Sequence, residues 1–170
     1  MDTFVITPVI EAVFKKKKIM LGVTGSIAAY KAASLCSKMV KIGAEVFPVL
    51  TPNACFFINP LTFSALSHKK TIVEQYENEE KISHISLSQS VDLIVIAPAT
   101  ANTISKLACG ICDNFLTTAA ISAICPILIA PAMNNNMYLN VQVQDNINIL
   151  KSSGQFFFIE QDEGRLDCGY

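Results

Sequence analysis

The chain has 170 residues, 13 of them basic and 14 acidic, so its net charge is −1. That length suits one domain with a sizeable core, and the balanced charge gives no electrostatic reason to bind nucleic acid. Half of the residues are apolar, but no run is long and unbroken enough to span a bilayer. The lysines at 15–18 follow the first apolar patch instead of preceding it, which excludes a signal peptide. We attribute the apolar excess to surface buried between subunits.

Apolar runs alternate with helix-like segments along the chain. We predict strands at 18–23, 45–50, 91–97, 127–130 and 156–160. We predict helices at 27–41, 59–66, 101–108, 114–123 and 141–152, and a short helix that starts near His84. Buried strands that alternate with helices are typical of a parallel sheet covered on both faces. The prediction is a doubly wound, three-layer α/β fold, flavodoxin-like or Rossmann-like, with residues 1–17 as an N-terminal extension and residues 18–170 as one domain.

Gly25 and Ser26 stand where the first predicted strand meets the first helix. The surrounding residues form neither a Gly-x-Gly-x-x-Gly fingerprint nor a Walker loop, because only two glycines are present and no suitably placed Lys-Ser/Thr follows. Gly25 permits a tight turn, and Ser26 offers a hydroxyl beside the free amides of a helix start. The pair predicts a site for one phosphate group. A purely structural turn is the alternative.

Two more strand ends carry hydroxyl and amide side chains. Such groups suit the ribityl chain and ring edges of a mononucleotide better than a metal ion, because no carboxylate is among them. The alternative is helix capping by Thr100 or Asn102, which can coexist with ligand binding. The residues at these two strand ends are Thr51, Asn53, Thr100, Ala101, Asn102 and Thr103.

The loop at residues 131–138, Pro-Ala-Met-Asn-Asn-Asn-Met-Tyr, follows the fourth predicted strand. Its opening repeats the Ile-Ala-Pro-Ala sequence that ends the third strand, and two such parallel strand ends build the crevice where open α/β sheets bind ligands. Asparagine amides offer uncharged donors and acceptors, and Met133 and Met137 offer an apolar wall. The alternative is a polar turn in which Asn134 or Asn136 caps the next helix.

The chain has two histidines and six cysteines. His84 lies beside apolar residues, where a structural role competes with a catalytic one, and we place His68 at the surface. Cys109 and Cys112 have the spacing of a redox motif, but we expect both to be small helix residues that face a core. No zinc-ligand set is present, and a reducing compartment fits the cysteines best.

These segments together resemble the flavin-dependent cysteine decarboxylases, over nearly everything from Lys18 onward. The loop that starts at Gly25 resembles the family's FMN-phosphate loop, and Ser-His-Ile-Ser-Leu resembles the segment with its active-site histidine. The most specific likeness is the pattern Pro-x-Met-Asn-x-x-Met-aromatic, in which Tyr138 stands where many members have Trp. Six separated segments match in the family's order, namely 25–31, 83–87, 97–103, 113–114, 131–138 and 164–169.

The resemblance implies an FMN-dependent carboxy-lyase that transiently oxidises the side chain of an N-acylated cysteine. In the branch most similar to this chain, which serves coenzyme A biosynthesis, the substrate is 4′-phosphopantothenoylcysteine. The resemblance implies that His84 is the base of the oxidative step, that Asn134 binds the substrate's carboxylate or amide, and that Cys168 donates a proton in the return step.

The resemblance also implies which residues bind ligands and how the chains assemble. It implies a cytoplasmic homotrimer, or a multiple of trimers, with each flavin at a subunit interface and with His84 and Asn134 from different chains. From the composition and residue pattern we expect no metal, and no membrane or nucleic-acid partner. The implied cofactor-binding residues are Gly25, Ser26, Ile27, Thr51, Asn53, Thr100, Ala101, Asn102, Thr103 and Ala132, and the implied substrate-binding residues are Asn134, Met133 and Met137.

Three other functions share parts of this pattern. A peptidyl-cysteine decarboxylase of the lantibiotic type would share His84 and Asn134 but lack the flap cysteine, Cys168. A flavin prenyltransferase would share the fold but not the Met-Asn-x-x-Met segment, and a non-enzymatic flavin-binding subunit that docks on a phosphatase could keep the flavin site. Asp167 departs from the family pattern, in which a small residue is expected, and we expect the flap to be cut short at Tyr170.

Overall fold

Five parallel strands form the centre of the molecule. The computed structural model describes residues 8–73 and 84–159, and its strands lie in the order β2-β1-β3-β4-β5 with every neighbouring pair parallel. The chain passes from β1, inside the sheet, to β2 at one edge. It then crosses over β1 to β3 and continues through β4 to β5 at the other edge, so the direction of winding reverses between β1 and β3. Open α/β sheets bind ligands at such a point. The strands are β1 (Lys18–Val23), β2 (Glu45–Leu50), β3 (Leu93–Ala99), β4 (Ile127–Pro131) and β5 (Phe156–Phe158).

Helices connect the strands and cover both faces of the sheet. None of the helices in the described ranges is long and apolar enough to cross a membrane. The helices are α1 (Pro8–Phe14), α2 (Ala29–Lys41), α3 (Pro60–Ser67), α4 (His84–Ser90), α5 (Ala101–Ala108), α6 (Phe115–Ile121), α7 (Asn135–Tyr138) and α8 (Val141–Ser152), with a 3₁₀ turn at Pro52–Phe56.

Two apolar cores lie on opposite faces of the sheet. Successive residues of a strand point to opposite faces, so Ile94 and Ile96 of β3 belong to one core and Val95 belongs to the other. The first core contains side chains of α4, α5, α6 and α8, and the second contains side chains of α2 and α3. Gly22 lets α6 approach the sheet, because a Cβ atom there would lie 2.5 Å from Leu116 Cδ1. This arrangement confirms the predicted doubly wound, three-layer fold.

Several predicted elements have the predicted bounds, among them β1, β2, α5 and α8. α2 begins at Ala29 and not at residue 27, because the preceding residues form a turn in which the Ser26 Oγ accepts a hydrogen bond of 3.3 Å from the Ala28 amide. β3 begins at Leu93, two residues later than predicted. Neither the 3₁₀ turn nor α1 was predicted, and α1 lies inside the proposed N-terminal extension.

The prediction that Cys109 and Cys112 face a core is wrong. Both are exposed, in the turn that follows α5. Gly110 ends the helix there with a φ of +69°, and the Ile111 amide donates back to the Lys106 carbonyl oxygen at 2.8 Å, which is a Schellman helix end. His68 is exposed, as predicted, and ends α3 with a φ of +57°.

Candidate active site

A cavity of about 600 Å³ opens at the carboxyl ends of the strands. Its volume falls within the range of small-molecule and cofactor sites. The loops after β1, β2, β3 and β4 each contribute residues to its wall, so the four segments that the sequence pointed to meet at one place. The described lining residues are Gly25, Ser26, Thr51, Pro52, Asn53, Thr100, Ala101, Asn102, Thr103, Lys106, Asp113, Asn114, Ala132, Met133 and Met137.

Thr24 joins the loop after β1 to the end of β3 and to the first residue after that strand. Its hydroxyl donates to the Pro98 carbonyl oxygen at 2.7 Å and accepts from the Thr100 amide at 3.0 Å. The side chain is buried, with 1% of its surface exposed. A buried hydroxyl that is bonded on both sides fixes the distance between these two segments. Nothing in the sequence distinguished Thr24 from its neighbours.

Gly25 lies against the loop after β2. A Cβ atom on Gly25 would lie 2.7 Å from Asn53 Cβ and 3.0 Å from the Asn53 carbonyl carbon. Any side chain at position 25 would therefore push Asn53 and its backbone away. Because both residues line the cavity, the absent side chain lets these two parts of the wall pack closely against each other.

The loop after β3 supplies hydroxyl and amide groups to the cavity. Thr100 caps α5, with its Oγ1 accepting from the Thr103 amide at 3.4 Å. The hydroxyl oxygens of Thr100 and Thr103 lie 3.3 Å apart. The predicted capping role of Thr100 is confirmed, and it coexists with a position in the cavity wall.

The loop after β4 contributes Ala132, Met133 and Met137 to the wall. Asn134 is exposed and caps α7, with its Oδ1 accepting from the Asn136 amide at 2.8 Å. This bond uses the carbonyl oxygen of the Asn134 carboxamide and leaves its NH₂ group to donate elsewhere. Asn134 thus borders the cavity wall without belonging to its described lining residues. Ile27 borders the wall in the same way, next to Ser26 and 61% exposed.

The wall also contains an ion pair that was not predicted from the sequence. Lys106 Nζ pairs with Asp113 Oδ2, and the Asn114 Nδ2 group donates to Asp113 Oδ1 at 2.9 Å. The hydrogen bond from Lys106 is the main reason that the pKa of Asp113 lies below its usual value. The sequence contained one signal for Lys106. It follows Asn102 by four positions and Thr103 by three on α5, so it lies on the same helix face as these two predicted site residues.

The two residues expected to carry proton transfer lie at the margins of the described structure. His84 begins α4, and its side chain lies outside the described residues. Cys168 lies wholly outside them. Within residues 8–73 and 84–159, no group of three His, Cys, Asp or Glu side chains could hold a metal ion.

Comparison with known proteins places the chain among flavin-binding proteins. The model of the family described as Flavoprotein matches residues 11–168. Over 156 residues, the chain is 47% identical to the coenzyme A biosynthesis bifunctional protein CoaBC of Bacillus subtilis, an alignment that covers 91% of this chain and 38% of that protein. The chain thus spans about two-fifths of the length of that curated relative.

Two further proteins match over most of their own length. The probable phosphopantothenoylcysteine decarboxylase of Streptococcus mutans is 42% identical over 157 residues, which covers 90% of this chain and 87% of that protein. The crystal structure of the FMN-dependent cysteine decarboxylase SpaF superposes with a TM-score of 0.82 at 29% identity, covering 89% of this chain and 87% of that one.

Proposed function

The chain belongs to the flavoprotein family, and from that premise we propose that it is an FMN-dependent decarboxylase of 4′-phosphopantothenoylcysteine, a carboxy-lyase of coenzyme A biosynthesis. The observation that carries the proposal is the cavity in which the predicted flavin loops and the Met-Asn-x-x-Met loop meet. The identity to phosphopantothenoylcysteine decarboxylase of S. mutans over most of both chains supports the choice of substrate.

The residues of the cavity fit FMN. Gly25 has no side chain and lines the cavity with its backbone, which permits close approach by a phosphorylated ligand. Hydroxyls of Ser26, Thr51 and Thr100 and the amide of Asn102 can bond a ribityl chain and ring edges. Met133 and Met137 supply an apolar, polarizable surface for an aromatic ring.

Three side chains are proposed to bind the substrate and to transfer protons during the reaction. When bound, FMN supplies a reversible hydride acceptor, which makes the electron sink that loss of CO₂ needs. We propose that His84 is the general base that accepts the proton of the substrate sulfhydryl while the carbon next to the sulfur is oxidised. We propose that the NH₂ group of Asn134 donates a hydrogen bond to the carboxylate or amide of the substrate, because the Oδ1 atom of the same side chain already caps α7. We assign to Cys168 the proton returned to carbon after CO₂ has left.

Exposed apolar side chains around the cavity support assembly into a trimer, or a multiple of trimers. Phe56 and Phe57 end the 3₁₀ turn that starts at the cavity wall, and they are 86% and 50% exposed. Ile27 follows the lining residue Ser26 and is 61% exposed, and Leu139 ends α7 two residues after the lining residue Met137 and is 73% exposed. A second copy that covered this rim would close the cavity and bring its own residues to it. On this proposal His84 and Asn134 of one site come from different chains.

The proposal also extends to the ends of the chain and to its compartment. We assign residues 18–170 to the decarboxylase domain, residues 164–169 to a substrate flap and residues 1–17 to an extension. We place the enzyme in the cytoplasm, because the exposed Cys109 and Cys112, three positions apart, are not joined by a disulfide.

The experiment that tests the function combines flavin identification with turnover. Purified protein should be yellow and should release FMN, not FAD, on denaturation. Incubation with 4′-phosphopantothenoylcysteine should yield 4′-phosphopantetheine, detected by mass spectrometry as loss of CO₂. A peptide that ends in cysteine provides the comparison substrate. Turnover of the peptide alone would assign the chain to the peptidyl-cysteine decarboxylases, and bound flavin with turnover of neither substrate would support the non-enzymatic alternative.

A further inference from the structure

We propose that Lys106 binds the phosphate group of the flavin, an inference that rests on the FMN-dependent function proposed above. Gly25 and Ser26, the residues that suggested a phosphate site in the sequence, carry no charge. A phosphate monoester carries a charge of about −1.5 to −2 at neutral pH. Moving that charge out of water is costly unless a cation or several hydrogen bonds compensate it. A cation in the wall would add to the hydrogen bonds that its hydroxyl and amide groups can supply.

Lys106 is the only cation among the described residues that line the cavity, and Asp113 is the only anion. The other described lining residues are apolar or carry uncharged hydroxyl and amide groups. The S. mutans relative and SpaF match the chain over most of their length, so the cavity belongs to the part of the chain shared with flavin-dependent proteins.

Helix geometry brings the Lys106 side chain to the polar side of the cavity. Asn102, Thr103 and Lys106 share one face of α5, since positions three and four apart are neighbours on a helix. Lys106, Thr103 and Thr100 all line the cavity. The hydroxyl oxygens of Thr103 and Thr100 lie 3.3 Å apart. The same cavity wall therefore contains an ammonium group and two hydroxyls.

Asp113 holds Lys106 in place without using all of its donors. The Lys106 side chain is only 24% exposed, and its Nζ pairs with Asp113 Oδ2. The other oxygen of that carboxylate accepts from Asn114 Nδ2 at 2.9 Å, so the carboxylate is itself fixed. An ammonium group has three donors, and two of them remain for an anion after this bond. A side chain that is already ordered loses less conformational entropy when the ligand binds.

The phosphate can be tested separately from the ring, because riboflavin is FMN without the phosphate. We would measure the dissociation constants of both flavins for protein freed of flavin by dialysis, in the wild type and in Lys106→Met, which keeps the stem and removes the charge. Loss of one charge-assisted hydrogen bond predicts that FMN binds roughly ten- to a hundredfold more weakly to Lys106→Met. The dissociation constant of riboflavin should change by less than about twofold.

Two matched variants complete the experiment. Lys106→Arg keeps the charge and should keep most of the FMN affinity, and Lys41→Met removes an exposed lysine at the end of α2 and should change neither constant. Equal weakening of FMN and riboflavin in Lys106→Met would overturn the inference, and so would unchanged binding of both. A wild-type protein that binds neither flavin would instead overturn the proposed function.

Discussion

The hydroxyl of Thr24 donates a hydrogen bond of 2.7 Å to the carbonyl oxygen of Pro98, across a distance of 74 positions in the chain. The same oxygen atom of Thr24 accepts from the Thr100 amide at 3.0 Å. One buried side chain thus joins the loop after β1 to the end of β3 and to Thr100, which lines the cavity. The contact adds to the pairing of β1 with β3 and to a hydrogen bond of 3.2 Å from the Thr24 amide to the same Pro98 oxygen.

Replacing Thr24 by valine should therefore damage both stability and flavin binding. Valine has nearly the shape of threonine but leaves the Thr100 amide without its bonding partner, which costs about 1–3 kcal/mol for a buried group. Denaturant unfolding would measure the loss, and titration with FMN should show weaker binding. Thr24→Ser keeps the hydroxyl and serves as the control. Equal behaviour of the two variants would show that the hydroxyl does not position the loops.

Gly25→Ala should weaken flavin binding by displacing Asn53. The new methyl group would meet the Asn53 Cβ at 2.7 Å and its backbone at 3.0 Å, and backbone cannot move aside cheaply. Gly154→Ala is the matched control, because Gly154 has a φ of +73° but open space around it. That change should cost about 1–2 kcal/mol of stability through backbone strain alone and leave FMN affinity unchanged. Stoichiometric FMN in purified Gly25→Ala would contradict the prediction.

His84→Asn should retain FMN and lose activity by roughly a hundred- to ten-thousandfold, the usual range for a general acid–base group. His68→Asn is a suitable control, because His68 adopts a left-handed backbone conformation that asparagine tolerates. Steady-state turnover of 4′-phosphopantothenoylcysteine measures both variants. If the two lost activity to the same extent, His84 would have a structural role only.

Cys168→Ser should separate the two halves of the reaction. Serine is a much poorer acid than a thiol, so the return of a proton to carbon should fail after CO₂ has left. Anaerobic single-turnover experiments should therefore show CO₂ released once, the ene-thiol accumulating and 4′-phosphopantetheine missing. Normal formation of product at the wild-type rate would remove Cys168 from the mechanism.

In the native protein, exposed cysteines should react with an alkylating reagent faster than buried cysteines. Burial raises the pKa of Cys36 to about 11, and it also raises that of Cys125. A raised thiol pKa keeps the unreactive protonated form at pH 8, since only the thiolate reacts with iodoacetamide. Exposed Cys109 and Cys112 should be labelled first in a timed mass-spectrometric experiment. Rapid labelling of Cys36 at pH 8 would show that the core around it opens.

The local pattern of the sequence was enough to predict most of the sheet and the ligand-binding edge. The hydrophobic runs of β1 and β2 and the helical period of α5 and α8 are properties of adjacent residues, so their bounds could be read directly. The parallel arrangement then brings the loops after the strands to one edge. For that reason eleven of the residues singled out in the sequence line the cavity, from Gly25 to Met137.

Other features depend on which distant segments of the chain come into contact, and the local sequence pattern does not contain that information. The Schellman end of α5 turns Cys109 and Cys112 outward and brings Asp113 back to Lys106. The pairing of Lys106 with Asp113 was therefore not predicted, although residues 113–114 were among the segments that resemble the family.

The role of Thr24 was equally hidden, because its partners lie at the end of β3 and just after it, more than 70 residues away. Residue spacing thus determined which elements form and which strand ends meet. The contacts that hold those ends at a fixed distance were decided only by tertiary packing, because a hydrogen bond depends on atoms brought within about 3 Å of each other and not on their separation along the chain.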